Sequence, residues 1–194
     1  AEKTHAGHQH EDIASFVLEF AGDTFAMDSG TCRYDNIHAT LFQHHDRHNV
    51  LVPVGLAERP HMAYERRYSA EGTGDATSFR ATYDADGCWK GVMPRWQRTF
   101  ESPEPSTFMV RDEYALAAGT GVEWYWLTVR DVAVAPDEIT LTGRRGRVRI
   151  AVPDGCTVRV DTLSMPDERI QKRIAFCKSG TSGVIEVCCR LETL

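Results

Sequence analysis

The residues best suited to chemistry are histidines that concentrate in two short segments. Six of the eight histidines lie there: His5, His8 and His10, and then His44, His45 and His48. Between the two segments Asp28 ends a short predicted strand, residues 24–27, and is followed by Gly30, a residue suited to a tight turn. Two histidines and one carboxylate from separate segments can bind zinc and leave a fourth position for water or substrate.

We predict that the metal ligands are His10, Asp28 and His48. The alternative is a hydrogen-bonded cluster of two histidines and an aspartate without metal, and the spacing alone leaves both readings open. Other histidines could replace a predicted ligand: His5, His44 and His45. Asp12 is expected to orient the neighbouring histidines as a hydrogen-bond acceptor. The remaining two histidines are expected to be ordinary loop or surface residues: His38 and His61.

The elements that must position these residues are predicted to be strands, because apolar and polar residues alternate with a period of two. The clearest runs are residues 13–20 (IASFVLEF), 76–83 (ATSFRATY), 123–129 (EWYWLTV) and 144–152 (RRGRVRIAV), and shorter apolar runs occupy residues 50–54, 138–141, 157–163 and 184–191. Turn signals separate them at intervals of about ten residues, a spacing typical of an antiparallel sandwich. The predicted fold is therefore all-β, an antiparallel β-sandwich of supersandwich-like architecture with little helix.

Two segments interrupt this pattern. Residues 101–106 (ESPEPS) are expected to form a stiff loop that could divide two sheet layers, and residues 166–174 (PDERIQKRI) at most a short turn or helix. With no repeat or low-complexity tract in the sequence, residues 1–194 are predicted to form one β domain.

Composition narrows the possible partners. The chain has 194 residues, a formal net charge of −6 and a hydrophobic content of 42%, so no overall positive field attracts a polyanion. The acidic balance and the lack of a basic, aromatic groove pattern argue against nucleic-acid binding. No apolar run approaches the ~20 residues that span a bilayer, so no membrane partner is expected. The six cysteines contain no CxxC pair, and most are expected to be small buried hydrophobes.

Three ordered motifs in the first 55 residues resemble a known family. They are residues 8–16 (HQHEDIASF), residues 28–34 (DSGTCRY) and residues 48–55 (HNVLVPVG). This order resembles the HxHxDxxSF, DxGxxxY and HN-L-V-G pattern of heparinase II/III-like polysaccharide lyases. The segment from Arg98 to Asp112 is similar more loosely.

The resemblance implies that His10, Asp28 and His48 hold one zinc ion with a mainly structural role, and that His8 is the active-site histidine near the substrate uronate. Tyr34 occupies a motif position that can approach the cleft, although a tyrosine packed across the loop is the favoured alternative. In the family, the tyrosine that acts as acid lies on an N-terminal α/α-toroid. This sequence lacks such a helical domain, and the isolated chain is expected to be inactive without it.

The chemistry of such a lyase explains the use of His8. Removal of the proton at C5 of a uronate builds negative charge beside its carboxylate, which a donor or cation there stabilises. His8 could supply that interaction or act as the base. Loss of the O4 leaving group then gives a 4,5-unsaturated sugar.

Arginines are the candidates for contacts with acidic sugar groups. Arg98, Arg145 and Arg147 are predicted as substrate-binding residues, the last two because alternation places them on one face of a strand with Arg149. A solvated sheet face is the favoured alternative for that stripe.

The predicted function is the β-sandwich domain of a polysaccharide lyase that cleaves uronate-containing glycans, heparin/heparan sulfate-like or alginate-like, by β-elimination. The alternative is a non-catalytic carbohydrate-binding module, which would have no need of His8 beside a metal ligand. A cupin-type metal enzyme is disfavoured, because Glu11 is too near and Glu19 too far for the cupin glutamate. The resemblance implies a bacterial, periplasmic protein, with a cytoplasmic setting as the alternative.

Overall fold

A computed structural model of the chain describes residues 9–31, 41–63, 69–165 and 170–194. Fourteen strands lie in this described part, numbered here in chain order. They are β1 Leu18–Phe20, β2 Asp23–Ala26, β3 Leu51–Val54, β4 Ser69–Gly74, β5 Phe79–Asp84, β6 Arg95–Glu104, β7 Thr107–Ala115, β8 Gly121–Thr128, β9 Asp131–Val134, β10 Glu138–Thr142, β11 Gly146–Ala151, β12 Thr157–Ser164, β13 Ile170–Ser179 and β14 Ser182–Thr193. Two 3-10 helices, Leu41–Gln43 and His45–Arg47, precede β3.

The strands form two facing sheets and one short hairpin. The large sheet has the order β4-β5-β6-β7-β14-β11-β10-β9, the small sheet has the order β12-β13-β8-β3, and β1 pairs with β2 alone. The pairings between these strands are antiparallel. The predicted all-β antiparallel sandwich with little helix is therefore confirmed.

Side-chain alternation explains how the large sheet faces the core. Along β7, every second residue is buried, beginning with Phe108 and ending with Tyr114, as expected for a strand with one face on the core. The central strand β8 of the small sheet differs, because nearly all of its residues are buried. Backbone hydrogen bonds extend the pairing along its edge beyond β3: the Tyr125 N–H donates to the Val50 carbonyl over 3.0 Å, and the Met27 N–H to the Leu127 carbonyl over 2.9 Å.

Aromatic rings fill the space between the sheets around Phe16. Its ring centroid lies 5.7 Å from those of Phe100 and Phe108 in the large sheet. It lies 5.9 Å from Trp124 and 5.6 Å from Trp126 in the small sheet. Phe16 thus ties the segment that follows His10 to both layers of the core.

Three details of the predicted secondary structure are wrong. Of residues 13–20, only Leu18–Phe20 forms a strand, and Ala14 adopts a positive φ of 60°. Residues 101–106 do not divide the layers: β6 continues through them to Glu104, with a register shift, and meets β7 in a hairpin. Residues 170–174 belong to strand β13, because Ile174 packs in the core; residues 166–169 lie outside the described part.

Cysteine positions follow the strand pattern. Cys189 is buried and its neighbour Cys188 is half-buried, since successive residues of β14 point to opposite faces. Within the described residues no helix has the length and apolar character needed to cross a membrane.

Candidate metal centre and its surroundings

The predicted ligands Asp28 and His48 are in direct contact. The Nδ1 atom of His48 lies 2.7 Å from Oδ2 of Asp28. The His48 side chain is fully buried, whereas about a third of the Asp28 side chain is exposed. The second motif begins shortly after β2 ends at Ala26, and the third motif begins directly after the second 3-10 helix, and these two starting residues meet.

The other ring nitrogen of His48 is committed to the backbone. Nε2 lies 3.0 Å from the carbonyl oxygen of Phe42, and because a carbonyl can only accept, Nε2 carries the proton. The 2.7 Å contact between Nδ1 and a carboxylate oxygen of Asp28 needs a proton between the two atoms, which a bound metal ion would replace. A histidine whose second nitrogen donates to a carbonyl is typical of metal sites, where this bond fixes the tautomer and the ring orientation.

Asp28 is itself oriented by the turn that follows it. The Gly30 N–H donates to Oδ1 of Asp28 over 2.7 Å, and Gly30 has the positive φ of 75° that this turn requires. Burial alone would raise the Asp28 pKa, but the hydrogen bond and charge of His48 and the Gly30 N–H lower it below its ordinary value. Asp28 is therefore a carboxylate, the form that binds metal.

His10 completes the group from the first motif. Its ring centroid lies 5.3 Å from that of His48, with 45° between the ring planes. The structure thus brings the three predicted ligands into one place from three segments of the chain.

The donor atoms of these residues are of the types that bind a metal ion, but two of them are closer together than ligands of one ion would be. No group of three His, Cys, Asp or Glu within the described residues is arranged to hold an ion. Two ligands of one tetrahedral zinc would be about 3.4 Å apart, given bonds of about 2.1 Å, whereas Asp28 and His48 are at hydrogen-bond distance. Binding of a zinc ion here would therefore move Oδ2 of Asp28 and Nδ1 of His48 further apart, by a displacement of roughly less than 1 Å.

Next to this group, Glu11 holds a second histidine cluster. Its Oε2 atom lies 2.8 Å from Nδ1 of His45 and accepts the His45 N–H over 3.1 Å. Its Oε1 atom lies 2.8 Å from Nδ1 of His61 and accepts the Met62 N–H. Burial would raise the Glu11 pKa, but the bonds from His45 and His61 and the charge of His45 lower it to about 2. Glu11 therefore anchors the segment that carries His10.

The expected roles of the neighbouring residues change accordingly. Asp12, which was expected to orient the histidines, has an exposed side chain. Glu11 instead contacts His45 and His61. His45 is buried and packs edge-on against Trp89 at 5.2 Å, while His61 is exposed but bound to Glu11. His44 is partly exposed, and burial and the charge of Arg59 lower its pKa.

Arg98 belongs to the core, which corrects the prediction that it binds substrate. Arg98 and Asp112 have no exposed surface, and Nη2 of Arg98 donates to Oδ2 of Asp112 over 2.7 Å. Its Nη1 donates to the carbonyls of Ala14 and Asn49 over 2.8 and 2.7 Å. A sugar could reach this guanidinium only by breaking these bonds.

Of the other two predicted sugar contacts, Arg147 lies on the solvent side of β11, and Arg145 lies in the turn before that strand. Arg145 is exposed, and its N–H donates to Asp23 over 2.8 Å. Arg147 lies 3.6 Å from Glu192 on the adjacent strand, and Arg149 pairs with Glu192 and Glu138. The arginine stripe therefore faces solvent with carboxylates interleaved.

Four predicted positions lie outside the described residues: His5, His8, Tyr34 and His38. Two functional residues were not predicted from the sequence. Glu11 contacts both histidines of the second cluster, and Asn49 is a buried hydrogen-bonding residue. Each directly follows a predicted ligand, His10 or His48, and a polar residue beside a ligand was the signal that could have found them.

Comparison with known proteins is consistent with this architecture. A sequence model described as "Heparinase II/III-like, C-terminal" matches residues 1–179, while no curated protein matches. A heparan sulfate lyase from Pedobacter heparinus superposes with a TM-score of 0.76 and 14% identity over 96% of this chain and 31% of that protein. A mutant of that lyase gives a TM-score of 0.77 at 12% identity, covering 96% and 31%. A heparinase III gives 0.72 at 14%, covering 95% and 30%.

At these identities the structural likeness establishes the fold. The chain spans about a third of the length of the solved structures it matches.

Proposed function

This chain belongs to the heparinase II/III-like C-terminal family, and we propose that it is the β-sandwich part of a polysaccharide lyase. The proposed enzyme cleaves uronate-containing glycans, heparin/heparan sulfate-like or alginate-like, by β-elimination, together with a helical domain. The observation that carries the proposal is the meeting of His10, Asp28 and His48, which come from three motif segments of this family.

The three residues would hold one zinc ion with a mainly structural role. Asp28 is ionised and fixed by Gly30, and the Nε2–H of His48 donates to the Phe42 carbonyl, so Nδ1 is the nitrogen that would bind the ion. When bound, the ion would supply positive charge that joins the three segments. The protein residues orient the site, and no step of the elimination needs to pass through the metal.

The proposed chemical role of this chain lies with His8, two residues before His10. A hydrogen bond or positive charge from His8 to the uronate carboxylate would stabilise the charge that develops when the C5 proton leaves. The acid that protonates the O4 leaving group would come from the helical domain, with Tyr34 of this chain as a further candidate. The products are a shortened glycan and a 4,5-unsaturated uronate.

Further parts of the proposal concern partners and setting. Arg145, the exposed member of the arginine stripe, and Arg147 would contact sulfate or carboxylate groups of the glycan, with Arg147 exchanging Glu192 for the sugar anion. A periplasmic location in a bacterium is proposed from the habit of such lyases.

The test is an elimination assay on a protein that contains this chain and a helical domain. The ultraviolet absorbance of the unsaturated product is followed with heparan sulfate and with alginate, for wild type, His8→Ala and the distant control Arg80→Ala. We expect the wild-type protein to turn over substrate, His8→Ala to be slower by about 100-fold or more, and the control to keep the wild-type rate. Glycan binding without any unsaturated product would favour the carbohydrate-binding module instead.

A further inference from the structure

We propose that Asn49 is a positioning residue of the metal centre, which ties the three ligand-carrying segments to one another and thereby sets the metal affinity. This inference rests on the proposed zinc site. It concerns a residue that cannot be a ligand itself, because the hydrogen bonds described below occupy its amide group.

All the polar groups of Asn49 are used, and the residue has no exposed surface. Its Nδ2 donates to the carbonyl of Phe16 over 2.7 Å and to that of Met27 over 3.1 Å. Its Oδ1 accepts the Leu127 N–H over 2.7 Å. Its backbone N–H donates to Oγ of Ser15 over 3.1 Å. These bonds fix the orientation of the amide, because swapping its oxygen and nitrogen would set like groups against one another.

The partners of Asn49 are next to the predicted ligands. Asn49 directly follows His48, Met27 directly precedes Asp28, and Ser15 and Phe16 lie in the first motif with His10. One side chain therefore joins the second and third motif segments directly and reaches the first motif beyond its ligand. The contacts of Glu11 with His45 and His61 also hold the first segment.

The large sheet anchors this junction through a buried ion pair. Arg98 donates to the carbonyls of Asn49 and Ala14, and its other nitrogens bind Asp112. Asp112 also accepts the indole N–H groups of Trp96 and Trp124, each over 2.6 Å. Because these groups are buried and mutually bonded, the junction has few alternative arrangements of similar energy.

Removal of the Asn49 amide should therefore loosen the relative positions of Asp28 and His48 while the sheets remain paired. Partners outside the ligand shell of a metal site typically change metal affinity by 10–100-fold. We expect Asn49→Ala to weaken zinc binding by about 10-fold or more on this basis.

The experiment measures zinc dissociation constants of the folded chain by competition with a chromophoric chelator. The variants are Asn49→Ala, the milder Ser15→Ala and the control Val187→Ala, which removes core volume from β14, where Val187 pairs with Val110. Each is measured at a temperature where circular dichroism shows a fully folded chain. Under these conditions the folded fraction does not limit binding, so a substitution that affects stability alone leaves the dissociation constant unchanged.

The proposal predicts weaker binding in Asn49→Ala, a smaller loss in Ser15→Ala and wild-type affinity in Val187→Ala despite a lowered Tm. If Asn49→Ala does not fold, Ser15→Ala decides by the same comparison. Wild-type affinity in the folded Asn49 and Ser15 variants would overturn the positioning role and leave the metal site intact. A wild-type chain that binds no zinc would overturn the site and this inference together.

Discussion

Nδ1 of His48 and Oδ2 of Asp28 lie 2.7 Å apart although the residues are 20 positions apart in the sequence. The contact joins the first residue of the second motif to the first residue of the third. The Phe42 carbonyl fixes the His48 ring through Nε2, and the Gly30 N–H fixes the Asp28 carboxylate. The pair is therefore held in its orientation without a metal ion. Such preorganisation lowers the cost of binding an ion.

Zinc should stabilise the folded chain through this site. A ligand present at about 100 times its dissociation constant adds roughly 2.7 kcal/mol to the free energy of unfolding. We expect the Tm of the wild-type chain, measured by calorimetry, to fall when zinc is replaced by a chelator. In Asp28→Asn the Tm should be insensitive to the chelator, and an equal response in both proteins would place the stabilising metal elsewhere.

Glu11→Gln should change the pH dependence of stability. The Glu11 pKa is about 2 in the folded chain against an ordinary value of 4.5. Its contribution to stability is therefore complete above about pH 4.5 and is lost as the pH falls towards about 2. We expect the variant to be less stable at pH 7, and the difference from wild type to shrink between pH 4.5 and 2.

This measurement is made by urea unfolding in the presence of a chelator, so that metal release at low pH does not contribute. Glu104→Gln is a useful control, because Glu104 also has a lowered pKa but lies on the exposed β6-β7 hairpin. A gap between wild type and Glu11→Gln that stays constant down to pH 2 would contradict the assigned ionisation.

Arg98 and Arg149 should differ sharply in their effects on stability. Arg98→Ala leaves Asp112 as an unpaired buried charge, and breaking such a pair costs about 3–5 kcal/mol. Arg149→Ala removes partly exposed ion pairs with Glu138 and Glu192, each worth about 0–1 kcal/mol. Chemical unfolding gives both values, and similar losses for the two variants would show that the Arg98 pair is not buried as described.

The exposed arginine stripe should contribute modestly to glycan affinity. We expect Arg145→Ala with Arg147→Ala to weaken binding of a heparan sulfate oligosaccharide by about 3- to 5-fold per residue, as for exposed ion pairs, and more at low salt than at high salt. Isothermal titration at two salt concentrations measures this. Unchanged affinity at low salt would leave the stripe as a solvated, carboxylate-balanced face.

The sequence predicted the fold class and the meeting of the three ligands because both leave local signals. Alternation identified β8 and β11 as strands, and turn residues such as Gly30 marked where Asp28 would be presented. Residues 13–20 misled because the apolar side chains Phe16 and Leu18 pack against the core for different reasons. Phe16 packs between the sheets from a loop, and only the part from Leu18 pairs as a strand.

The partners of Arg98 and Glu11 could not be predicted, because tertiary packing brings them together from separate parts of the chain. Alternation places Arg98 on the same strand face as Trp96 and Phe100, but its partner Asp112 and the carbonyl of Ala14 become neighbours only when the chain folds. Glu11 meets His45 and His61 across loops whose paths carry no periodic signal. Buried polar networks of this kind are set by tertiary packing rather than by local pattern.

The most direct test of the central claim, that three motif segments form one zinc site, is elemental analysis of the purified, folded chain. It is compared with His10→Ala and Asp28→Ala, and with His61→Ala as a matched histidine control outside the proposed ligand set. The account predicts about one zinc per chain in wild type and control, and a loss in both ligand variants, as one tetrahedral site requires. A folded wild-type chain without zinc, or zinc retained in both ligand variants, would contradict it.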